Sequence, residues 1–222
     1  MDVYPKIQSL FKRTDRGLFI EGEYATTAIE YLKDCEWQWT EKVDGTNIRI
    51  GLVGVGGWPS DGYQDLVIRG KTDNAQIHTR LFEAILGMGL LDKMKEVFGD
   101  SDVTLYGEGY GPKIQSGGNY RPDQSFVLFD VKIGGFWLRR ADVEDVAAKL
   151  GIDVVPLVAV GTIAEARGLV DHPNDFVLSD WGDFKAEGLV GRPAVDLVDR
   201  MGNRVMVKLK HKDFDRLRRE TG

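Results

Sequence analysis

Between Glu36 and Leu52, aromatic and β-branched residues run on either side of the interruption Val43-Asp44-Gly45-Thr46-Asn47. That pattern reads as strand, tight turn, strand. Lys42 stands at the end of the first strand, where it can project into a cleft, and Gly45 permits the backbone conformation of the turn. An ammonium group has no lone pair, so a lysine acts as a nucleophile only where burial or neighbouring positive charge favours its neutral form. On Glu41–Asn47 alone, an exposed hairpin in which Lys42 pairs with Glu41 explains the residues equally well. The rest of the chain has to decide.

There are no repeats, no low-complexity tracts and no evident interdomain linker. Gly54–Asp65, rich in Gly, Pro, Asp and Ser, reads as a hairpin loop that leads into a strand at Leu66–Lys71. Leu81, Ile85, Met88, Leu91, Met94 and Phe98 then recur at helical spacing and predict one amphipathic helix over Thr79–Phe98. Further strands are expected at Val103–Gly107, Ser125–Val131 and Ile152–Val160. A helix at Ala141–Leu150 falls between the last two, and Thr162 caps another. A final pair, Ala186–Gly191 and Arg204–Leu209, flanks the turn Asp199-Arg200-Met201-Gly202-Asn203. The sum is an α+β body of mainly antiparallel strands with flanking helices.

No apolar run approaches the roughly 18 residues that span a bilayer, and the first ten residues lack a signal-peptide layout. The expectation is a soluble, intracellular, cytoplasmic protein without a membrane partner. A single cysteine, Cys35, excludes a disulfide framework and paired Cys-x-x-Cys zinc elements, and reads as a buried small hydrophobe. A net charge of −6 argues against a general polyanion binder. From Lys185 onward, however, ten Lys or Arg stand against six Asp or Glu, which suits a local anion site on an acidic body.

Familiar phosphate loops do not explain that site. Arg69-Gly70-Lys71-Thr72 resembles the tail of a Walker loop, but Asp65 occupies the place of its first glycine. Gly107, Gly109 and Gly111 miss the dinucleotide fingerprint because Pro112 takes its last glycine position. What remains is a series in fixed order. After the Lys42 segment come Leu105–Pro112, Phe126-Val127-Leu128-Phe129-Asp130, Glu187-Gly188-Leu189-Val190 and Val207-Lys208-Leu209-Lys210. In that order the five segments resemble the motifs of the covalent nucleotidyltransferases, and they are most similar to the RNA ligase 2-like branch. The resemblance runs from Glu41 to Lys210.

It implies a nucleotidyltransferase fold, ATP with Mg2+ or Mn2+ as cofactors, and Lys42 as the residue that takes AMP. Lys208 and Lys210 alternate along a strand and so share a face. Two ammonium groups on one wall suit an α-phosphate whose charge grows during attack. Glu187 matches the carboxylate that binds the divalent ion, which prefers one or two carboxylates plus phosphate oxygens. By the same resemblance Glu108 contacts the ribose, Phe129 stacks on the base and Arg69 touches sugar or phosphate. Glu41 lies near the adenine, Asn47 serves later metal-assisted steps, and Asp130 assists the metal or a lysine.

Outside the motifs, Trp37 and Trp39 alternate on one strand face and read as core. His78, His172 and His211 show no metal-ligand spacing and read as non-catalytic. Lys212–Arg219 resembles a short basic helix, equally suited to nucleic-acid phosphates and to a solvated terminus. Only 12 residues follow Lys210, so the expectation is one nucleotidyltransferase domain over residues 1–222, without a separate C-terminal nucleic-acid-binding domain, acting as a monomer. The expected activity is joining of RNA 5′-phosphate and 3′-hydroxyl ends, in nicked or duplex form. The alternatives are a DNA ligase, a GTP-dependent capping guanylyltransferase and a non-catalytic nucleotide- or RNA-binding module.

Overall fold

The computed structural model describes residues 1–54, 64–172 and 177–221. In chain order the first elements are β1 (Gln8–Ser9), β2 (Phe11–Arg13), β3 (Phe19–Tyr24), α1 (Thr27–Tyr31), β4 (Trp37–Glu41), β5 (Thr46–Gly54), β6 (Gln64–Arg69), α2 (Thr79–Gly87) and α3 (Leu90–Phe98). Next come β7 (Val103–Tyr110), β8 (Ser125–Ile133), β9 (Phe136–Trp137), α4 (Arg140–Leu150), β10 (Asp153–Val154), β11 (Leu157–Gly161) and α5 (Ile163–Val170). The last are β12 (Leu178–Ser179), β13 (Gly182–Lys185), β14 (Gly188–Pro193), β15 (Val207–Lys210) and α6 (His211–Thr221). The chain is α+β and mostly antiparallel, as expected, and falls into two compact units.

The first unit comprises Met1–Tyr4 and Asp44–Val155. Its sheet runs β10-β8-β7-β5-β6, with β9 on β8. Ile48, Ile50 and Leu52 alternate along β5 and bury one face against Leu81 and Ile85 of α2, Met94 of α3 and Val143 of α4. The single helix expected over Thr79–Phe98 is two helices, because the chain closes a turn from Met88 N–H to the Ile85 carbonyl and Gly89 then takes φ +64°. Leu81, Ile85, Leu90 and Met94 enter the same core from both halves, which is why the periodicity looks continuous.

The second unit comprises Pro5–Val43 and Pro156–Gly222. Its main sheet runs β1-β15-β14-β4-β11. Trp37 and Trp39 are fully buried on β4 with rings stacked at 5.7 Å, and their indole N–H groups donate to the Leu32 and Gly161 carbonyls at 2.8 and 3.0 Å. The core reading of both is correct, and each polar edge is satisfied.

Three further expectations change. β4 and β5 are not a hairpin: β4 pairs with β14 and β11, whereas β5 pairs with β7 and β6. The strand expected over Ile152–Val160 divides into β10 on β8 and β11 on β4, with Pro156, which has no N–H for a ladder, between them. Cys35 is exposed rather than buried, since it lies in the turn after α1 with its N–H on the Leu32 carbonyl. Most of the Gly54–Asp65 loop lies outside the described residues, and β6 begins at Gln64. Thr162 caps α5 in a reciprocal pair with Glu165. Among the described residues no helix is long and apolar enough to cross a membrane.

Candidate active site

The second unit brings four of the motif residues together. β4 ends at Glu41, and the next residue, Lys42, donates its backbone N–H to the Gly188 carbonyl at 2.9 Å. Its Nζ reaches Glu187 Oε2 at 2.6 Å. Lys210 pairs with the other carboxylate oxygen, Oε1. One carboxylate therefore holds two ammonium groups, with side chains 21%, 11% and 18% exposed for Lys42, Glu187 and Lys210. Both ends of Glu187 are fixed, because its own carbonyl accepts the N–H of His211 at 3.2 Å.

Pairing of β14 with β15 sets Gly188 opposite Lys210 and Val190 opposite Lys208. Val207 and Leu209 point into the core, so Lys208 and Lys210 share the outer face as the alternation requires. Lys208 is half-buried, and its pKa is pushed down first by that burial and then by the Lys210, Lys42, Arg13 and Lys6 cations. β14 starts two residues later than expected, so Glu187 stands just ahead of the strand. Glu41 is buried beside them: Oε2 accepts the Asp180 N–H at 2.9 Å, while Oε1 has no partner among the described residues. Burial raises its pKa. It does not pair with Lys42, and the exposed-hairpin reading of that segment fails with the missing hairpin.

The first unit carries the others. Asn47 on β5 and Glu108 on β7 face each other across the ladder, and Asn47 Oδ1 is buried without a partner among the described residues. Arg69 closes β6, is exposed, and donates to the Asp73 carbonyl at 3.4 Å. On β8 the register slips: Tyr106 opposes Asp130 and Gly107 opposes Leu128, which leaves Phe129 unopposed. Such a bulge re-aims a side chain. Phe129 accordingly stays outside the apolar core and meets the Tyr4 ring edge-on at 4.9 Å. Asp130 is fully buried and accepts the Tyr4 hydroxyl at 2.8 Å.

A family model described as RNA ligase matches residues 35–210. The chain belongs to the RNA ligase family. Solved structures agree on the fold. A mutant of the Naegleria gruberi RNA ligase with ATP and Mn superposes with a TM-score of 0.61 at 16% identity, covering 98% of this chain and 64% of that one. A second mutant of that enzyme, also with ATP and Mn, gives 0.64 at 17% identity over 99% and 60%. The Naegleria enzyme with PPi gives 0.61 at 18% identity over 98% and 64%. The chain thus spans less than two thirds of the length of these proteins. No curated protein sequence matches it.

For a member of the RNA ligase family, the residues that the motif reading missed are supports. Tyr4 lies far from any motif in sequence, yet it holds both Phe129 and Asp130. Gly188 stands in a motif only as a letter, but its carbonyl accepts the backbone N–H of Lys42. His211 falls in no motif. It is 3% exposed, and burial followed by the Lys185 cation pushes its pKa down from 6.5 to about 4.

That shift has a sign. The folded protein keeps His211 neutral while the unfolded chain takes up a proton below pH 6.5, so stability is full above that pH and falls as pH drops toward 4. The loss from this group reaches at most about 3 kcal/mol. Urea unfolding at pH 7 and pH 5 is expected to show it, with a flatter dependence in His211→Asn. A variant as acid-sensitive as wild type would place the effect elsewhere.

Proposed function

We propose that the protein is an ATP-dependent RNA ligase, which joins 5′-phosphate and 3′-hydroxyl ends through a lysyl-AMP intermediate. The observation that carries this is the convergence of Lys42 and Lys210 on the Glu187 carboxylate, with Lys208 on the same strand face. Within the RNA ligase family that cluster supplies a nucleophile, a charge clamp and a carboxylate in one place. The Lys42 amine, having lost a proton, attacks the α-phosphorus of ATP. An N–P bond forms, the bond to pyrophosphate breaks, and Lys208 and Lys210 offset the charge that develops on the phosphoryl oxygens. Glu187 Oε2, at 2.6 Å, is the acceptor already in contact with the amine. A 5′-phosphate oxygen of the RNA then takes the AMP from Lys42, and a 3′-hydroxyl displaces AMP to seal the strand.

The Naegleria structures with ATP and Mn support the choice of nucleotide and of a divalent ion. The donor set fits an ion that arrives with phosphates: Glu187 offers one carboxylate, and among the described residues no three His, Cys, Asp or Glu gather into a cage. Glu187 would hold the ion, which would neutralise phosphate charge. A metal role for Asp130 requires Tyr4 to release it. Adenine suits the buried, unpartnered Glu41 Oε1, which needs a donor such as an exocyclic amine. Glu108, Phe129, Arg69 and Asn47 keep the ribose, base, phosphate and late-step roles that the resemblance assigns. ATP and RNA ends as substrates set the work inside the cell, in one module spanning residues 1–222.

Intact-mass measurement after incubation with ATP and Mg2+ tests the reading: one AMP is expected per chain. A protein that gains none, or prefers GMP from GTP, is not an ATP-dependent ligase. Strand choice is tested on matched nicks with pre-adenylylated 5′ ends. Sealing is expected to favour an RNA 3′-hydroxyl over DNA, nicks over free single strands, and to fall steeply with salt. Faster sealing of all-DNA nicks would replace RNA by DNA while leaving the Lys42 chemistry in place.

A further inference from the structure

α6 follows β15 directly, and its charges divide by side. Phe214 is fully buried and Leu217 packs on the same core, so these two fix the inward face. The first two acids of the helix are engaged within the unit. Asp213 is buried and takes the fork of Arg13 at 2.7 and 3.2 Å, while Asp215 takes Lys185 at 3.3 Å as well as Arg218. Arg218 also reaches the Asp171 carboxylate. What is left outside is cationic. Lys212, Arg216 and Arg219 are exposed and have no hydrogen-bond or ion-pair partner among the described residues. At about 100° per residue the three fall within about 60° of arc, on the side opposite Phe214. Glu220, the remaining acid of α6, lies about 100° round from Arg219.

Stability does not account for such a stripe. Like charges one turn apart repel, and a cation in the first turn, where Lys212 stands, opposes the helix dipole. The chemistry of the face narrows what could lie on it. A helix that rests on a membrane needs an apolar outer face, and a protein interface needs an apolar or aromatic centre, but α6 exposes no large hydrophobic side chain. An uninterrupted row of cations suits a polyanion with regularly spaced charges. Arg216 and Arg219 add planar forks that match phosphate oxygens. Lys212 and Arg219 stand about 10 Å apart along the helix axis, which spans about three nucleotides of a strand. The row also continues toward the candidate active site, because Lys212 lines a cavity with Lys208 and Lys210 of β15.

We infer that the outer face of α6 docks the backbone of an RNA duplex, with Lys212, Arg216 and Arg219 on successive internal phosphodiesters of one strand. The inference rests on the ligase reading and adds to it a surface that holds the polymer rather than the reacting ends.

The test compares wild type with the triple variant Lys212→Gln/Arg216→Gln/Arg219→Gln and with Lys212→Arg/Arg216→Lys/Arg219→Lys, which keeps every charge. Fluorescence anisotropy of a labelled, nicked RNA duplex, titrated without ATP at several salt concentrations, reads binding apart from turnover. Each phosphate neutralised adds about 0.9 to the steepness with which log K falls against log salt, so the Gln variant is expected to be shallower by about 2–3. Its affinity at low salt should fall at least about tenfold, the worth of one charge-assisted hydrogen bond, while AMP uptake and the melting midpoint stay at wild-type values. The charge-keeping variant should retain the wild-type slope. An unchanged slope and affinity in the Gln variant overturn the surface, even if that variant loses binding to vesicles of anionic lipid. A loss that tracks a lowered melting midpoint overturns it, as does a slope lowered equally in the charge-keeping variant. Absence of AMP uptake by the wild-type protein is a different failure: it removes the ligase reading, and the anisotropy slopes still decide whether α6 binds RNA.

Discussion

Lys42→Arg is expected to be as dead as Lys42→Ala in AMP uptake, a loss of more than about a thousandfold, since covalent catalysis has no substitute for its nucleophile. The arginine keeps a positive charge and can still meet Glu187, so the fold loses little: the native pair is part-exposed, and such pairs contribute modestly. What disappears is chemistry. A guanidinium stays protonated in proteins and offers no lone pair for attack on phosphorus. Intact mass after incubation with ATP and Mg2+ should therefore show the wild-type chain gaining AMP and both variants unmodified, with near-native melting for the arginine variant. AMP found on Lys42→Arg would move the nucleophile to another lysine, and Lys208 and Lys210 would be the first to examine.

The placement of Lys42, Lys208 and Lys210 was legible because each announces itself locally. Lys208 and Lys210 share a face by simple alternation, and Val207 and Leu209 fill the core between them. Lys42 needed only a strand end. The pairing on Glu187 was not legible, because 145 residues separate the two and only the ladder of β14 with β4 and β15 makes them neighbours.

Errors concentrate where local pattern and long-range pairing disagree. The apolar period of Thr79–Phe98 continues across the break at Gly89 because both helices feed one core. The β-rich pattern of Glu36–Leu52 is correct for two strands and silent about which partner each will take, so adjacency suggested a hairpin that does not exist. Phe129 belongs to a run, Phe126–Asp130, in which strict alternation would send it to the wrong face or the right one depending on a single residue of register. The slip opposite Tyr106 and Gly107 decides, and nothing in the run itself signals it. Tyr4 illustrates the same limit at greater distance, since 126 residues lie between its hydroxyl and the Asp130 carboxylate it caps.

Gly188→Ala is expected to damage the same chemistry without touching a reacting group. Gly188 has φ +153°, and a Cβ built there would lie 1.9 Å from the Leu209 carbonyl oxygen, a backbone atom that no rotamer change can move. Relief requires β14 to shift away from β15, and three things travel with that shift. The register that sets Gly188 against Lys210 loosens, the 2.9 Å bond from Lys42 N–H to the Gly188 carbonyl lengthens, and Glu187, the preceding residue, turns away from its two lysines. Overpacking of this kind costs about 1–3 kcal/mol. The catalytic loss should be far larger than that stability loss suggests, since misplacement of a nucleophile by about 1 Å is worth on the order of a hundredfold. Urea unfolding and the rate of AMP uptake, measured on the same preparation at a temperature where the variant is fully folded, separate the two effects. A Gly188→Ala protein that is destabilised but takes up AMP at the wild-type rate would show that the Lys42, Glu187 and Lys210 cluster holds its geometry independently of the β14–β15 register.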